Sequence, residues 1–193
     1  MARKKNEFRP DAQDTGLLNK LYLTKRQRQS ALRWLLYALV CLVMLVVQDV
    51  VFSRVSIFGG TTDLASCAIL MTCVMLGAQT GGTFTLIASM LYLFSGTAPG
   101  EYVIILLTFL GVAAAAFRQG YLRKGFSSTL LCTGVAVMAY ELLLFAIGLF
   151  LGRTIFSRLG VFCMTGLLSC AAMPILYPML YAISKIGGET WKE

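Results

Sequence analysis

Long apolar runs separated by short polar stretches fill the sequence after about residue 33. The first run is uninterrupted from Leu35 to Val47 and predicts a span from about Trp34 to Phe52. A transmembrane helix needs about 20 predominantly apolar residues, and this run is typical of one. Five further runs follow, so the pattern predicts six spans at about residues 34–52, 64–78, 83–94, 101–117, 126–152 and 159–183.

The second and third predicted spans are short, and the glycines at positions 77, 81 and 82 predict a tight turn between them. A helix of about 15 residues rises only about 22 Å, which is less than the hydrocarbon core of about 30 Å. The polar ends of these two helices should therefore lie at membrane depth, where they need protein or a water-filled cavity around them.

Composition agrees with the pattern, since 58% of the residues are hydrophobic and 13% are charged, against about a quarter charged in soluble domains. We therefore expect an all-α integral membrane bundle of six transmembrane helices. The chain has no His, which removes the commonest general base and the commonest metal ligand. It also shows no phosphate-binding loop, no nucleophile motif and no paired acids. We predict a protein that is not an enzyme, with no catalytic residue, cofactor or metal, and we interpret its six cysteines as small buried apolar side chains.

Charge divides the chain into three parts: a basic tail over residues 1–33, a six-helix domain over residues 34–186 and a short C-terminus over residues 187–193. The tail holds nine of the 17 Lys and Arg residues, and Leu17, Leu18, Leu21 and Tyr22 could form a short helix on the membrane surface. Since the tail lacks interleaved aromatics for base stacking, we predict that it contacts anionic lipid and no nucleic acid. With the N-terminus inside, 14 basic residues fall on the cytoplasmic side and three outside, so both termini are predicted to be cytoplasmic.

Glu141 is the most informative single residue, because it lies near the middle of the fifth predicted span, next to Tyr140. A carboxylate at the centre of a membrane helix costs at least ~2.5 kcal/mol and should face the bundle interior or a cavity. Helix packing or partner docking is the favoured interpretation, and substrate or proton binding is the alternative. Gly148 and Gly152 lie seven and eleven residues further on and form a G-x-x-x-G pattern, which would allow close helix approach on the same face.

A second group of polar residues surrounds the first loop, where Gln48 and Asp49 end the first span and Arg54 and Asp63 follow. These residues could form a polar cluster at the outer membrane interface. The favoured alternative is that they simply mark the end of the span, because interfacial charges are cheap.

Several sequence segments together resemble the MreD family of bacterial rod shape-determining membrane proteins. They are Gln48 late in the first span, SRVSIFGGTTDL at 53–64, LGAQTGGTF at 76–84, SGTAPGEYVIILLTFLG at 95–111, Tyr140 with Glu141, and AAMPILYPMLYAI at 171–183. The resemblance implies a non-enzymatic scaffold subunit of the cell-elongation and peptidoglycan-synthesis machinery in the bacterial cytoplasmic membrane. It implies an MreC-like membrane-anchored partner, and further contacts with the MreB filament and with RodA and its transpeptidase partner.

The same family is similar in fold to the substrate-binding subunits of energy-coupling-factor vitamin transporters, which gives the alternative function. Such a subunit should present an outer pocket with Trp, Asn or His and an Ala-x-x-x-Ala stripe on the first span. Here the only Trp residues, Trp34 and Trp191, are predicted on the cytoplasmic side, and Ala31 and Ala38 are separated by bulky residues. The scaffold interpretation is therefore favoured.

Overall fold

The computed structural model describes residues 25–52, 59–122 and 125–186. These residues form six α-helices: α1 (Lys25–Val50), α2 (Leu64–Leu76), α3 (Ala78–Phe94), α4 (Val103–Tyr121), α5 (Phe126–Phe150) and α6 (Leu159–Ser184). A single 3-10 turn, Phe156–Arg158, precedes α6. The predicted surface helix near residues 17–22, Arg54 and the segment 187–193 lie outside the described residues.

The bundle is built around α2, which packs against each of the other five helices. Twelve of its 13 residues are buried, and the sole exception is Met75. Such complete burial fits its sequence, LASCAILMTCVML, which is apolar all round and does not show the polar stripe of a surface helix. The short predicted span is therefore the centre of the fold.

The outer helices expose apolar side chains, as a bundle surrounded by lipid does. Leu35 in α1, Ile105 in α4 and Ile175 in α6 are 62%, 73% and 73% exposed. Soluble proteins rarely expose contiguous apolar surface of this kind. Within the described residues, four helical segments are long and apolar enough to cross a membrane (residues 28–50, 103–121, 126–150 and 156–184), and α2 is a shorter apolar helix. The predicted all-α membrane bundle is confirmed, while the count of six spans stays a prediction.

Two element boundaries differ from the sequence prediction. The described part of α1 already includes Lys25, nine residues before the predicted span, because the stretch from Lys25 to Arg33 consists mostly of good helix formers. The predicted border between tail and bundle at residue 33 is thus not a break in the helix. The turn between α2 and α3 consists of Gly77 alone, at φ +92°, and Gly81 and Gly82 lie inside α3.

Gly81 allows close packing and makes no turn. A Cβ atom at this position would lie 3.0 Å from Cα of Cys73 and closer still to its carbonyl oxygen. The two helices of the α2–α3 hairpin therefore touch backbone to backbone, which only glycine permits at this spacing.

Candidate functional site

Asp63 is the hub of a buried polar group in the middle of the bundle. It is the N-cap of α2, where its Oδ1 accepts a hydrogen bond from the backbone N–H of Ser66 at 3.1 Å. Its Oδ2 accepts from the Tyr92 hydroxyl of α3 at 3.2 Å. Its backbone N–H donates to Oγ of Ser169 in α6 at 2.9 Å. One residue thus joins α2, α3 and α6, and Asp63 is buried within the bundle, with only 8% of its surface exposed.

The chain leading to Asp63 runs inward along α6. A Cβ atom on Gly59 would lie 3.6 Å from Val161, and one on Gly60 would lie 3.1 Å from the backbone nitrogen of Thr165. Asp63 then meets Ser169, ten residues into α6, which corresponds to a depth of about 15 Å along that helix. Non-helical backbone survives at such depth only where protein covers it, and the buried Gly60 meets this condition.

Gln48 ties the end of α1 to the same place. Its Oε1 accepts a hydrogen bond from the backbone N–H of Ala65, in the first turn of α2, at 2.7 Å. The Gln48 side chain also lies beside Asp63 and Tyr92. Asp49, one residue further on, is exposed. Of the four residues predicted as an outer cluster, the structure therefore brings Gln48 and Asp63 together inside the bundle, whereas Arg54 lies outside the described residues.

Glu141 and Tyr140 lie on α5 and reach the same region from the opposite side. Glu141 is 3% exposed, and its Cγ is 3.5 Å from the position that a Cβ of Gly166 in α6 would occupy. Among the described residues, no hydrogen bond to the Glu141 carboxyl is found. Tyr140 is fully buried, and its hydroxyl also has no hydrogen-bond partner in the described part of the chain.

Asp63 and Glu141 are near enough for electrostatic coupling, and the Tyr92 and Tyr140 side chains couple to both carboxyls. We call the five residues Gln48, Asp63, Tyr92, Tyr140 and Glu141 the polar centre. A carboxyl from the start of α2 and one from mid-α5 therefore belong to one buried polar region. The sequence contained one indication that Asp63 is buried. The second predicted span is shorter than the hydrocarbon core, so its polar start was expected at membrane depth.

Contrary to the prediction, Gly152 does not share a helical face with Gly148, and contact of either glycine with a partner stays a prediction. α5 ends at Phe150, and Gly152 follows it at φ +67°, a left-handed conformation typical of the residue after a helix. Gly148 is buried in α5, but a Cβ there would meet Thr154 of the following turn, 3.0 Å away, and no other helix. Within the described residues, both glycines shape the end of α5.

At the other end of α2, Arg118 of α4 binds a backbone carbonyl in the last turn of the helix. Its Nη1 donates to the backbone oxygen of Val74 at 2.6 Å. The last carbonyls of a helix carry a partial negative charge, and the first N–H groups carry a partial positive charge. Asp63 and Arg118 thus place opposite charges at the two ends of the buried central helix.

The polar centre contains carboxyl, amide and hydroxyl groups, which can accept or donate hydrogen bonds. The described residues include no group of three or more His, Cys, Asp or Glu that could hold a metal ion. The six cysteines are free, four of them buried and two half-buried. No family model, curated protein or solved structure matches the chain.

Proposed function

We propose that the protein is a non-enzymatic scaffold subunit of the bacterial cell-elongation machinery, as its resemblance to the MreD family implies. It sits in the cytoplasmic membrane with both termini in the cytoplasm and binds the membrane anchor of an MreC-like protein. Contacts with the MreB filament and with RodA and its transpeptidase partner belong to the same proposal. The basic tail lies on anionic lipid.

The proposal is supported chiefly by the hydrogen bonds of the buried polar residues. Gln48, Asp63 and Ser169 form hydrogen bonds that connect α1, α2, α3 and α6 to one another. Such bonds hold a bundle in one arrangement, since a buried polar group that loses its partner is costly. A fixed bundle with apolar outer faces suits a protein whose task is to hold other membrane proteins in place.

Co-purification tests this proposal directly. The tagged chain is extracted from native membranes in mild detergent and the bound chains are identified, with an unrelated tagged multi-helix membrane protein as the control. We expect an MreC-like protein in the sample and not in the control. Recovery of the coupling and ATPase subunits of a vitamin transporter in its place would overturn the assignment.

A second candidate function is favoured by Tyr140, whose buried hydroxyl has no hydrogen-bond partner in the described part of the chain, and by the buried Glu141 beside it. Buried groups of this kind are suited to a small polar ligand, as in the substrate-binding subunit of an energy-coupling-factor vitamin transporter. Equilibrium binding of vitamins to purified protein distinguishes the two candidates. Tight binding that Glu141→Gln abolishes would support the carrier, and its absence is expected for the scaffold.

The scaffold proposal also predicts that the isolated chain catalyses no step of wall synthesis. Purified protein, free of partner enzymes, should leave lipid-linked peptidoglycan precursor unchanged. A partner synthase serves as the positive control in the same assay. Turnover by the purified chain alone would contradict the proposal.

A further inference from the structure

A row of aromatic rings follows the last turns of α6 and ends at a cation. The rings of Tyr177 and Tyr181 are stacked, with centroids 5.5 Å apart and planes 12° apart. Nζ of Lys185, the residue directly after α6, lies 4.7 Å from the centroid of the Tyr181 ring. On the other side, the ring of Phe126 at the start of α5 meets Tyr177 edge to face at 4.7 Å. These four side chains form one connected surface, which we call the aromatic column.

The aromatic column lies where a membrane-spanning helix leaves the hydrocarbon. The segment that is long and apolar enough to cross a membrane ends at residue 184, directly before Lys185. Tyr side chains collect at membrane–water interfaces, and Lys side chains near helix ends extend their ammonium groups to the lipid headgroups. The aromatic column therefore belongs at headgroup level.

An exposed apolar face continues from the aromatic column towards the middle of α6. Pro174 and Leu167 come seven and fourteen residues before Tyr181 and thus lie on nearly the same face of the helix. Both are exposed, Leu167 to 55%. Fourteen residues of helix extend about 21 Å, more than the about 15 Å of hydrocarbon in one leaflet. Along this face the surface changes from apolar to aromatic to cationic, in the order in which a phospholipid changes from acyl chain to headgroup.

The charge of Lys185 has no acidic neighbour among the described residues, and no ion pair of Lys185 occurs there. The buried acids Asp63 and Glu141 contact α6 at Ser169 and Gly166. Ser169 lies 16 residues before Lys185, which corresponds to about 24 Å along the helix. An anion from outside the protein can therefore pair with this ammonium group.

Further groups beside the aromatic column suit a phosphate. The hydroxyls of Tyr177 and Tyr181 make no hydrogen bond within the described part of the chain, and a phenol can donate to a phosphate oxygen. Arg118 of α4 is half-buried and interacts electrostatically with Tyr177. Its guanidinium binds the carbonyl of Val74 and pairs with no described carboxylate, so it adds to the positive potential on this side of the bundle.

We propose that the aromatic column binds an anionic phospholipid, with the lipid phosphate on the Lys185 ammonium and an acyl chain along Tyr181, Pro174 and Leu167. Hydrogen bonds between an ammonium and a phosphate are charge-assisted and strong. The contact with the Tyr181 ring holds the flexible Lys185 side chain in place, which lowers the entropy lost on binding. The site is distinct from the basic tail, and it does not depend on the scaffold proposal.

Lipid binding measured by native mass spectrometry tests this site. The purified full-length protein in detergent is titrated with phosphatidylglycerol, or with phosphatidylcholine that has the same acyl chains, and the Kd of the first bound lipid is determined. We expect phosphatidylglycerol to bind about fivefold more tightly or better, because one basic residue at a membrane surface contributes about this factor. Equal affinities for the two lipids would overturn the proposal.

Lys185→Gln is the decisive variant, since it removes the charge from an exposed side chain. It should weaken phosphatidylglycerol binding about fivefold and leave phosphatidylcholine binding unchanged, whereas Lys185→Arg should keep the preference. Arg28→Gln is the matched control. Arg28 is also exposed, and it lies in the part of α1 that precedes the contact between Tyr37 and Leu180 of α6. Equal losses in Lys185→Gln and Arg28→Gln would show a general attraction to the membrane surface and overturn the proposal.

Tyr181→Leu tests the aromatic part of the site. Leu keeps an apolar side chain and removes the cation–π contact, so phosphatidylglycerol affinity should fall about two- to fivefold. Tyr121→Leu is its control, because Tyr121 is 80% exposed at the end of α4 and stacks on Phe117 at 5.1 Å, away from Lys185 in the sequence. Equal affinities in the two Leu variants would contradict the aromatic column as the binding surface.

Two further arms separate a lipid from other sources of charge. Glycerol phosphate carries the phosphate without acyl chains and should not displace phosphatidylglycerol at millimolar concentration. Displacement would overturn the lipid assignment in favour of a soluble phosphate compound. Glu189 follows Lys185 by four residues, outside the described part of the chain. Glu189→Gln should leave phosphatidylglycerol binding unchanged or strengthen it, and weaker binding in this variant would contradict the electrostatic basis of the site.

Discussion

At the scale of single residues, the Asp63 side chain both caps a helix and accepts a hydrogen bond from a neighbouring helix. One carboxyl oxygen caps the first turn of α2, and the other accepts the Tyr92 hydroxyl. We expect Asp63→Ala to lower the free energy of unfolding by about 1 to 3 kcal/mol, because it removes the cap and leaves a buried phenol without its acceptor. Denaturant or thermal unfolding in detergent measures the change.

Asp63→Asn is the informative companion to this variant. Asn is as good an N-cap as Asp, and its amide oxygen can still accept one hydrogen bond, so most of the stability should remain. A loss as large as that of the Ala variant would show that the negative charge, and not the hydrogen bonds, stabilises the start of α2.

Gly81 is the glycine at which a neighbouring backbone leaves the least space for a side chain. A Cβ there would press on the backbone of Cys73, so Gly81→Ala must push α2 and α3 apart and should cost about 1 to 3 kcal/mol of unfolding free energy. Gly120→Ala, in the last turn of α4, is a matched control, because a Cβ at that position meets nothing within 4 Å. This control should be neutral or slightly stabilising, since Ala is the better helix former. Equal effects on thermal unfolding would contradict the contact.

Single residues were partly predictable from the sequence. A carboxylate in the middle of an apolar run must be buried, so the interior position of Glu141 follows from solvation alone. The meeting of Glu141 with Asp63 could not be predicted in the same way. It depends on how far α2 starts below the ends of α5 and α6, and a sequence without a known packing arrangement does not determine that depth.

At the scale of elements, α2 is a short helix with matched charges at its two ends. Arg118 donates to the Val74 carbonyl near its C-terminus. Arg118→Met keeps an apolar stem of similar length but removes the donor and the favourable charge, and should lower the unfolding free energy by about 1 to 3 kcal/mol. Arg153 is exposed, so Arg153→Met should change thermal stability by no more than about 0.5 kcal/mol. Equal effects would rule out a specific role for Arg118.

The ends of the helices were predicted well where the apolar runs are long, and poorly where glycines occur. The predicted cores of α5 and α6 match the structure to within about two residues, because their runs have clear polar ends. Two of the glycines in this region have different roles. Gly77 forms the turn at φ +92°, while Gly81 allows α2 and α3 to pack closely. Local sequence does not separate a turn glycine from a packing glycine, since only the neighbouring helix distinguishes them.

At the scale of the whole molecule, successive helices pack in alternating directions. Tyr92 near the end of α3 meets Asp63 at the start of α2, and Arg118 near the end of α4 meets Val74 near the end of α2. The connection between α5 and α6 therefore lies at the opposite end of the bundle from the connection between α4 and α5. The excess of basic residues on one side predicts that the α4–α5 connection is cytoplasmic.

Cysteine labelling in intact cells tests this orientation. Ile155→Cys and Tyr121→Cys place thiols at positions that are 67% and 80% exposed, so access from water is the variable that differs between them. A membrane-impermeant thiol reagent should modify residue 155 from outside and reach residue 121 only after the cells are opened. Wild-type protein, whose own six cysteines are buried or half-buried, is the background control. External labelling at residue 121 would reverse the proposed topology.

The burial of α2 on every side has a consequence for the order in which the protein is made. Synthesis proceeds from the N-terminus, so α2 and its hairpin partner α3 leave the ribosome before α4, α5 and α6, which later cover α2. Until then Asp63 has no Ser169 to bind, and the carbonyl of Val74 has no Arg118. In a nascent chain that stops after α3, the apolar helix α2 and the Asp63 carboxyl lack the helices that normally cover them. Such a chain should be a substrate for membrane proteases. The two ends of α2 gain these partners only after α4 and α6 have been made.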